Sequence, residues 1–428
     1  MRAWILMVAA LLCSCISAVA TSYVVAPDGS GDFPTIQAAI DAAVDGDIIL
    51  LSDGTFTGNG NRDLDYLGKA IALQSQSGNS GTCVIDCQGS AADPHRAVRF
   101  VSGEPAGAML IGVTITGGHV FDPEYGSAFR CSNGSAPTIR CCDVSDNHGT
   151  AVYADLHCSL VFSDCRFTGN DGGPAGAIFI NEGGLSISGC DFIANEAEWR
   201  AAAIFALATD AELASCQFIG NVTREASAVE FNGGGEISIS DCLFRDNACT
   251  ANGGAVVFWI CGPNVLERCT FAGNTAASGC AAVYARKVVA TYARNCTFWG
   301  NACPDGTIFA DSYTFVLENC LLAGATEGPA VSSPDDCAEL SCCDLHGNAG
   351  GDWVGAIADQ YGIQGNISAD PLLCDPANGD FHLDSASPCV PFSPQNPTCD
   401  LVGAWPVGCG GTPVRIQSWG EIKALYGK

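Results

Sequence analysis

Lysine is nearly missing from this chain, with only Lys69, Lys287, Lys423 and Lys428 among 428 residues. Arginine does not fill the gap: Lys and Arg together number 18 against 46 Asp and Glu, a formal charge of −28. Binding of nucleic acid rests on clustered Lys and Arg facing phosphate, so no nucleic-acid partner is expected. An unaided fit to a polyanionic sugar chain is disfavoured for the same reason, and only a bound cation would reverse that locally. Long apolar runs are scarce too. The run from Trp4 to Ile16 is too short to span a bilayer and no later one reaches that length, so no transmembrane span is expected. Segments with helical periodicity are also few, which argues against an α or α/β fold.

The first twenty residues have the layout of a secretory signal. Arg2 is a minimal positive region, the apolar run follows, and Ala18-Val19-Ala20 fits an A-x-A cleavage site. A secreted or cell-surface location after cleavage near Ala20 is expected. A lipid anchor on Cys15 is the alternative, although Cys13 fits that box poorly. Of 26 cysteines, 24 lie beyond Ala20, and export permits disulfides.

What the chain does have is a repeat. Cys165-Arg166-Phe167-Thr168-Gly169-Asn170 reads C-x-F-x-x-N. The pattern returns at Cys190/Phe192/Asn195, Cys216/Phe218/Asn221, Cys242/Phe244/Asn247, Cys269/Phe271/Asn274 and Cys296/Phe298/Asn301. Weaker copies stand at Cys142/Val144/Asn147, Cys320/Leu322 and Cys343/Leu345/Asn348, giving steps of 23, 25, 26, 26, 27, 27, 24 and 23 residues. A fixed period in this range means a solenoid or array. A second signature, Ala followed by Val or Ile, occurs once per period, as at Ala177-Ile178 and Ala255-Val256. Between the two lies an alternating strand such as Leu185-Ser186-Ile187-Ser188. Three short strands in a period of about 25 residues fit an all-β, single right-handed parallel β-helix; a leucine-rich repeat and a propeller do not fit the consensus or the length. Residues two apart in a strand share a face. Cys and Phe therefore point inward together, and Asn is assigned to the turn, where it tolerates left-handed backbone and its amide stacks coil on coil. The ladder cysteines read as packed thiols. Cys374, Cys389, Cys399 and Cys409, outside the repeat, read as disulfide partners of unspecified connectivity.

The organisation expected is a signal at 1–20, an N-terminal cap and first strands at 21–61, the β-helix at 62–348, a Pro- and Cys-rich closing segment at 349–409, and a tail at 410–428 with a short helix near 419–426. The cap is a helix ending at Ala43, with Asp32 or Phe33 at its start and Pro34 near its first position.

Val25-Ala26-Pro27-Asp28-Gly29-Ser30-Gly31-Asp32-Phe33 with Thr35-Ile36-Gln37-Ala38-Ala39-Ile40 resembles the start of pectinesterases and other proteins of the pectin-lyase-like superfamily. Gly253-Gly254-Ala255-Val256 with Phe271-Ala272-Gly273-Asn274 is similar to the repeats of polymorphic outer-membrane proteins. Asp370-Pro371-Leu372, Gly379-Asp380-Phe381-His382-Leu383 and Ser387-Pro388-Cys389 look like the closing segment of bacterial right-handed β-helix repeat proteins. These likenesses imply the fold and leave activity open. The Asp, Arg and paired Gln of pectinesterases have no counterpart. Asp335-Asp336 and the His148-Gly149 pair lack the companions that polygalacturonase-like hydrolases require. The nearest approach to a pectate-lyase-like Arg base beside carboxylates is Arg224 with Glu196, Glu198, Glu225 and Glu230.

Two surfaces carry the candidate chemistry. The strand of the second signature has one outward position per coil, the residue after its Val or Ile (Phe129 in the first of these coils): Arg130, Tyr153, Phe179, Phe205, Glu230, Val257, Tyr284 and Phe309. Such a row of rings suits stacking against sugars, so Tyr153, Phe179, Phe205, Glu230, Tyr284 and Phe309 are the binding candidates. The turn after the Asn ladder brings Glu198 level with Arg224, making Arg224, Glu198, Glu225 and Glu230 the weak catalytic candidates. No resident metal or cofactor is expected, calcium being the one possibility entertained. Asp375, Asn378 and Asp380 read as a turn before they read as a cation loop. The reading ranked first is an exported, non-catalytic, monomeric β-helix that binds extracellular polysaccharide or a cell-surface protein through its aromatic-lined face. The alternatives are a polysaccharide lyase or glycoside hydrolase, and an architectural surface protein without a specific ligand.

Overall fold

A computed structural model describes residues 20–121, 123–224 and 228–409. The leader, apart from Ala20, and the tail at 410–428 with its expected helix lie outside them.

The chain winds into a parallel β-helix of about twelve turns, right-handed as parallel crossovers are. Each turn contributes to three sheets. One coil runs Val256–Trp259 in the first sheet, Pro263–Glu267 in the second and Thr270–Ala272 in the third. The first two join where Ile178–Ser188 and Ile204–Ala214 pass between them as unbroken strands of 11 residues. The third sheet is a clean stack of twelve strands from Gly54–Phe56 to Asp344–His346. The stack therefore begins before residue 62.

The core follows from period two. Phe167, Phe192, Phe218, Phe244, Phe271 and Phe298 pair in register and are buried. Their rings stack at centroid distances of 4.7–4.9 Å, within 5° of parallel. The ladder cysteines lie beside them as free, buried thiols. Asn147, Asn170, Asn195, Asn221, Asn247, Asn274 and Asn301 are buried as well, the amide of each of the first six donating to the next at 2.9–3.0 Å. The left-handed backbone assigned to Asn belongs instead to the residue before it, for example Gly169 at φ 61° and Asp246 at φ 55°. That turn rolls the Asn side chain inward, which is why it bonds rather than bends.

The cap helix, α1, spans Ile36–Ala42 and buries Ile36, Ala39 and Ile40 over the first coil. Its N-cap is Thr35, whose hydroxyl accepts from Ala38 N, and not Asp32 or Phe33. Asp32 closes the preceding loop instead, accepting from Val24 N at 2.7 Å. Among the described residues no helix is long and apolar enough to cross a membrane.

The closing segment folds back over the third sheet. Trp405 Nε1 donates to Thr270 Oγ1 at 2.7 Å, and Asn295 Nδ2 donates to Leu401 O at 2.6 Å. Disulfides Cys342–Cys399 and Cys374–Cys409 fasten it. Cys389 is not a disulfide partner: its thiol is buried and donates to Asp344 Oδ2 at 3.2 Å.

Candidate ligand-binding site

The outward row of the first sheet is in register from Arg130 to Phe309, one residue per coil. Its rings stack locally, Phe179 on Phe205 at 4.8 Å and Tyr284 on Phe309 at 4.9 Å. The row is not an open strip, however. Tyr153, Phe179 and Phe309 are half-buried, whereas Phe205, Glu230 and Tyr284 are 6%, 1% and 4% exposed. The cover is a wall built by the turns that follow the Asn ladder. Glu196–Ala197, Val222–Thr223, Ala248–Gly253 and Thr275–Gly279 form a small parallel sheet of their own there. Ala175 and Ala201 pack on Phe205, and Cys280 packs on Val257 and Tyr284.

Where the wall stands off the sheet it leaves a pocket of about 360 Å³ lined by Arg200, Glu230, Asn252, Val257, Trp259 and Tyr284. Arg200 Nη1 donates to the buried Glu230 Oε1 at 3.1 Å while its guanidinium lies 5.4 Å from the centre of the Phe205 ring. Trp259 and Tyr284 face each other at 6.4 Å. Arg286 lies over Trp259 at 5.3 Å and pairs with Asp311 at 3.2 Å. Trp259 lies three residues past Val256, outside the row formed by the residues that follow the Val or Ile of each coil. The position three past is outward as well, giving the row Asn181, Leu207, Asn232, Trp259, Arg286 and Asp311.

The catalytic candidates do not converge. Strand pairing of Ala197 with Thr223 does bring Glu198 level with Arg224. Both are exposed, and among the described residues no ion pair joins them. Glu198 accepts from Trp199 Nε1 at 3.1 Å instead. Glu225 lies outside the described residues. Glu230 has Arg200, not Arg224, as its cation. In the closing segment Asn378 Nδ2 donates to Asp375 Oδ2 at 2.8 Å, while buried Asp380 faces His382 Nδ1 at 2.7 Å, so the three do not form one cage.

Other concavities lie among the described residues. A shallow groove of about 680 Å³ crosses the second sheet past Ser159, Val161, Asp210, Glu212, Glu236 and Val265. A smaller one of about 280 Å³ lies between the closing segment and the third sheet, with Arg245, Trp299, Asn378 and Phe381 on its walls. The first is acidic, which repels polyanions; the second sets aromatic rings beside charges of both signs, Trp299 and Phe381 with Arg245 and Asp246. The Trp259 pocket likewise joins aromatic faces to hydrogen-bonding groups of both signs and is the larger of these two, at about 360 Å³ against about 280 Å³.

A family model described as right handed beta helix region matches residues 48–221, 127–287 and 176–367. Among solved structures the chain is similar to the pectate lyase Pel9A, at 14% identity over 91% of this chain and 98% of that one, with a TM-score of 0.50. It is also similar to the PL6 family alginate lyase AlyGC, at 13% identity over 93% of this chain and 59% of that one, with a TM-score of 0.47. No curated protein matches. At such identities the likeness is one of fold.

Proposed function

The chain belongs to the right-handed β-helix family, and from that premise we propose that it is an exported, non-catalytic protein that binds an extracellular carbohydrate in the pocket beside Trp259. The observation that carries this reading is the pairing of Trp259 and Tyr284 with Arg200, Glu230 and Asn252 around one cavity. Aromatic faces take the apolar side of a pyranose ring. An arginine, a carboxylate and an amide together supply the donors and acceptors its hydroxyls need. Glu230 and Arg200 already hold each other, so the polar part of the pocket is fixed before a ligand arrives. Signal-like residues at 1–20 and two disulfides support an oxidising, extracytoplasmic location.

A glycosidase needs two carboxyl groups flanking one bond. Glu230 is the single carboxylate lining this pocket among the described residues, and its partner is Arg200. That argues for binding over hydrolysis. The test is calorimetry of the purified protein against a panel of neutral and acidic oligosaccharides, with and without calcium, alongside an assay for product release. Binding without turnover is expected, weakened about tenfold or more by Trp259→Ala or Tyr284→Ala, as loss of a stacking partner worth about 1.4 kcal/mol implies. Product release abolished by Glu230→Gln or Arg200→Ala would replace this reading with an enzymatic one. Neither binding nor turnover would leave an architectural role.

A further inference from the structure

Three of the six histidines stand in one row of neighbouring coils. Backbone bridges link His95 to His119 and His119 to His148, and Asp171 and Glu196 continue the row. His148 and Asp171 each come directly after a ladder asparagine, Asn147 and Asn170, so period two turns them outward. His95 is committed elsewhere: Nδ1 is 2.6 Å from Asp63 Oδ2 and Nε2 is 3.1 Å from Asp93 Oδ2.

His119 and His148 are placed differently. Their ring centres are 5.4 Å apart. His148 Nδ1 sits 2.8 Å from Asp171 Oδ1, which holds the proton on Nδ1 and leaves Nε2 with a free lone pair. The His148 side chain is 55% exposed, so that lone pair is reachable. The backbone beneath is pinned on both sides: His119 N donates to His95 O at 2.9 Å, Val120 N to His148 O at 3.1 Å, and His148 N to Gly118 O at 2.8 Å. Phe121 meets the His119 ring edge-on at 5.1 Å and limits its rotation.

We infer that His119 and His148 form a two-imidazole site for a divalent transition-metal ion, with Asp171 as the group that orients His148. Two metal–nitrogen bonds of about 2.0 Å each require donor nitrogens within about 4 Å of one another, an approach that ring centres 5.4 Å apart allow when the nitrogens turn toward each other. A carboxylate on the far nitrogen is the usual support of a metal-binding histidine. Nitrogen ligands favour Cu²⁺ over Ni²⁺ and Zn²⁺, and do not suit Ca²⁺ or Mg²⁺. No group of three or more His, Cys, Asp or Glu converges among the described residues, so water or an added ligand atom would complete the shell. The site is therefore open and exchangeable. It lies about five coils from Tyr284 and is independent of the carbohydrate pocket.

The test is titration of the full chain with Cu²⁺ and, separately, Ni²⁺, followed by calorimetry and, for Cu²⁺, electron paramagnetic resonance. One ion per chain is expected at the site, with nitrogen hyperfine structure from two imidazoles. His119→Gln and His148→Gln should each weaken binding tenfold or more and remove one nitrogen from the spectrum. Asp171→Asn should weaken it about tenfold with both nitrogens retained. His157→Gln, on an 80% exposed side chain whose nearest acid is Glu182, is the control and should change nothing. Binding that survives both His119→Gln and His148→Gln, or a spectrum without two nitrogens, overturns the assignment. So does an absence of binding at millimolar metal, with circular dichroism unchanged.

Discussion

Asn221 shows what one side chain does in this fold. Its Oδ1 accepts from Asn195 Nδ2 at 3.0 Å and from Asn195 N at 3.1 Å. Its Nδ2 donates to Phe192 O and to Asn247 Oδ1, both at 2.9 Å. The side chain thus serves three coils at once, all of it buried. Asn221→Ala strands the Asn195 backbone N–H and the Phe192 carbonyl away from water. Each orphaned group costs about 1–3 kcal/mol, so a loss of about 2–6 kcal/mol is expected in guanidinium unfolding followed by circular dichroism. Val222→Ala, on the 38% exposed next residue, should cost well under half of that. Equal losses would mean the amide ladder contributes nothing beyond local shape. The C-x-F-x-x-N spacing was legible because each of its residues meets its own copy in the next coil, so sequence identity and spatial contact coincide. The backbone role of Asn was misjudged for a related reason. Asn and Gly share a tolerance of left-handed geometry, so the residue types alone do not separate Gly169, which makes the turn, from Asn170, which takes the amide contact.

At the scale of elements, the seams decide more than the strands. Asp344 begins the last strand of the third sheet, where the closing segment docks. Its Oδ1 accepts from Ala369 N at 3.0 Å and its Oδ2 accepts from Cys389 Sγ at 3.2 Å. Burial drives its pKa up from 3.8 to about 6, against the smaller opposing pull of those bonds. A raised carboxyl pKa means the folded state holds a proton that the unfolded state has released. Between about pH 4 and pH 6 the unfolded chain binds fewer protons, so stability falls as pH rises through that window and levels off above it. Two pKa units correspond to about 3 kcal/mol at most. Asp344→Asn keeps the acceptor for Ala369 N and drops the charge, so it should stabilise the protein at pH 7 and flatten its stability between pH 4 and 6. Denaturant midpoints at pH 4, 5, 6 and 7 check this; an unchanged slope for the variant sinks it. This seam was not legible, because Asp344 and Cys389 are 45 residues apart and no period relates them. The wall over Phe205 and Tyr284 was hidden for another reason: strand alternation tells which side a residue faces and says nothing of what covers that side.

For the whole molecule, two kinds of fastening coexist, and they are separable by chemistry. The solenoid is held coil by coil through stacked Phe, Asn and Cys, each neighbour supporting only the next. The closing segment is held by two cross-links whose loops span 57 and 35 residues, each worth about 4 kcal/mol by loop entropy. The repeat period announced the first kind. The second had no period to announce it, and Cys342, adjacent to ladder residue Cys343, is told apart by geometry alone: Cys343 points into the core and Cys342, at φ 51°, turns out to meet Cys399. Thiol reactivity follows the thiolate, and burial pushes the thiols of Cys142, Cys165 and Cys320 well above the ordinary range. Mild reductant with iodoacetamide under native conditions should therefore label Cys342, Cys399, Cys374 and Cys409, together with half-buried Cys141 and Cys337. Ladder cysteines from Cys142 to Cys343 should stay unlabelled until denaturant is added. Peptide mass spectrometry reads the pattern site by site, and limited proteolysis after reduction should cut first within 370–409. Labelling of Cys216 or Cys242 as fast as Cys399 would mean that the coils open as readily as the closing segment lifts, and that the stacked core is not the more stable of the two.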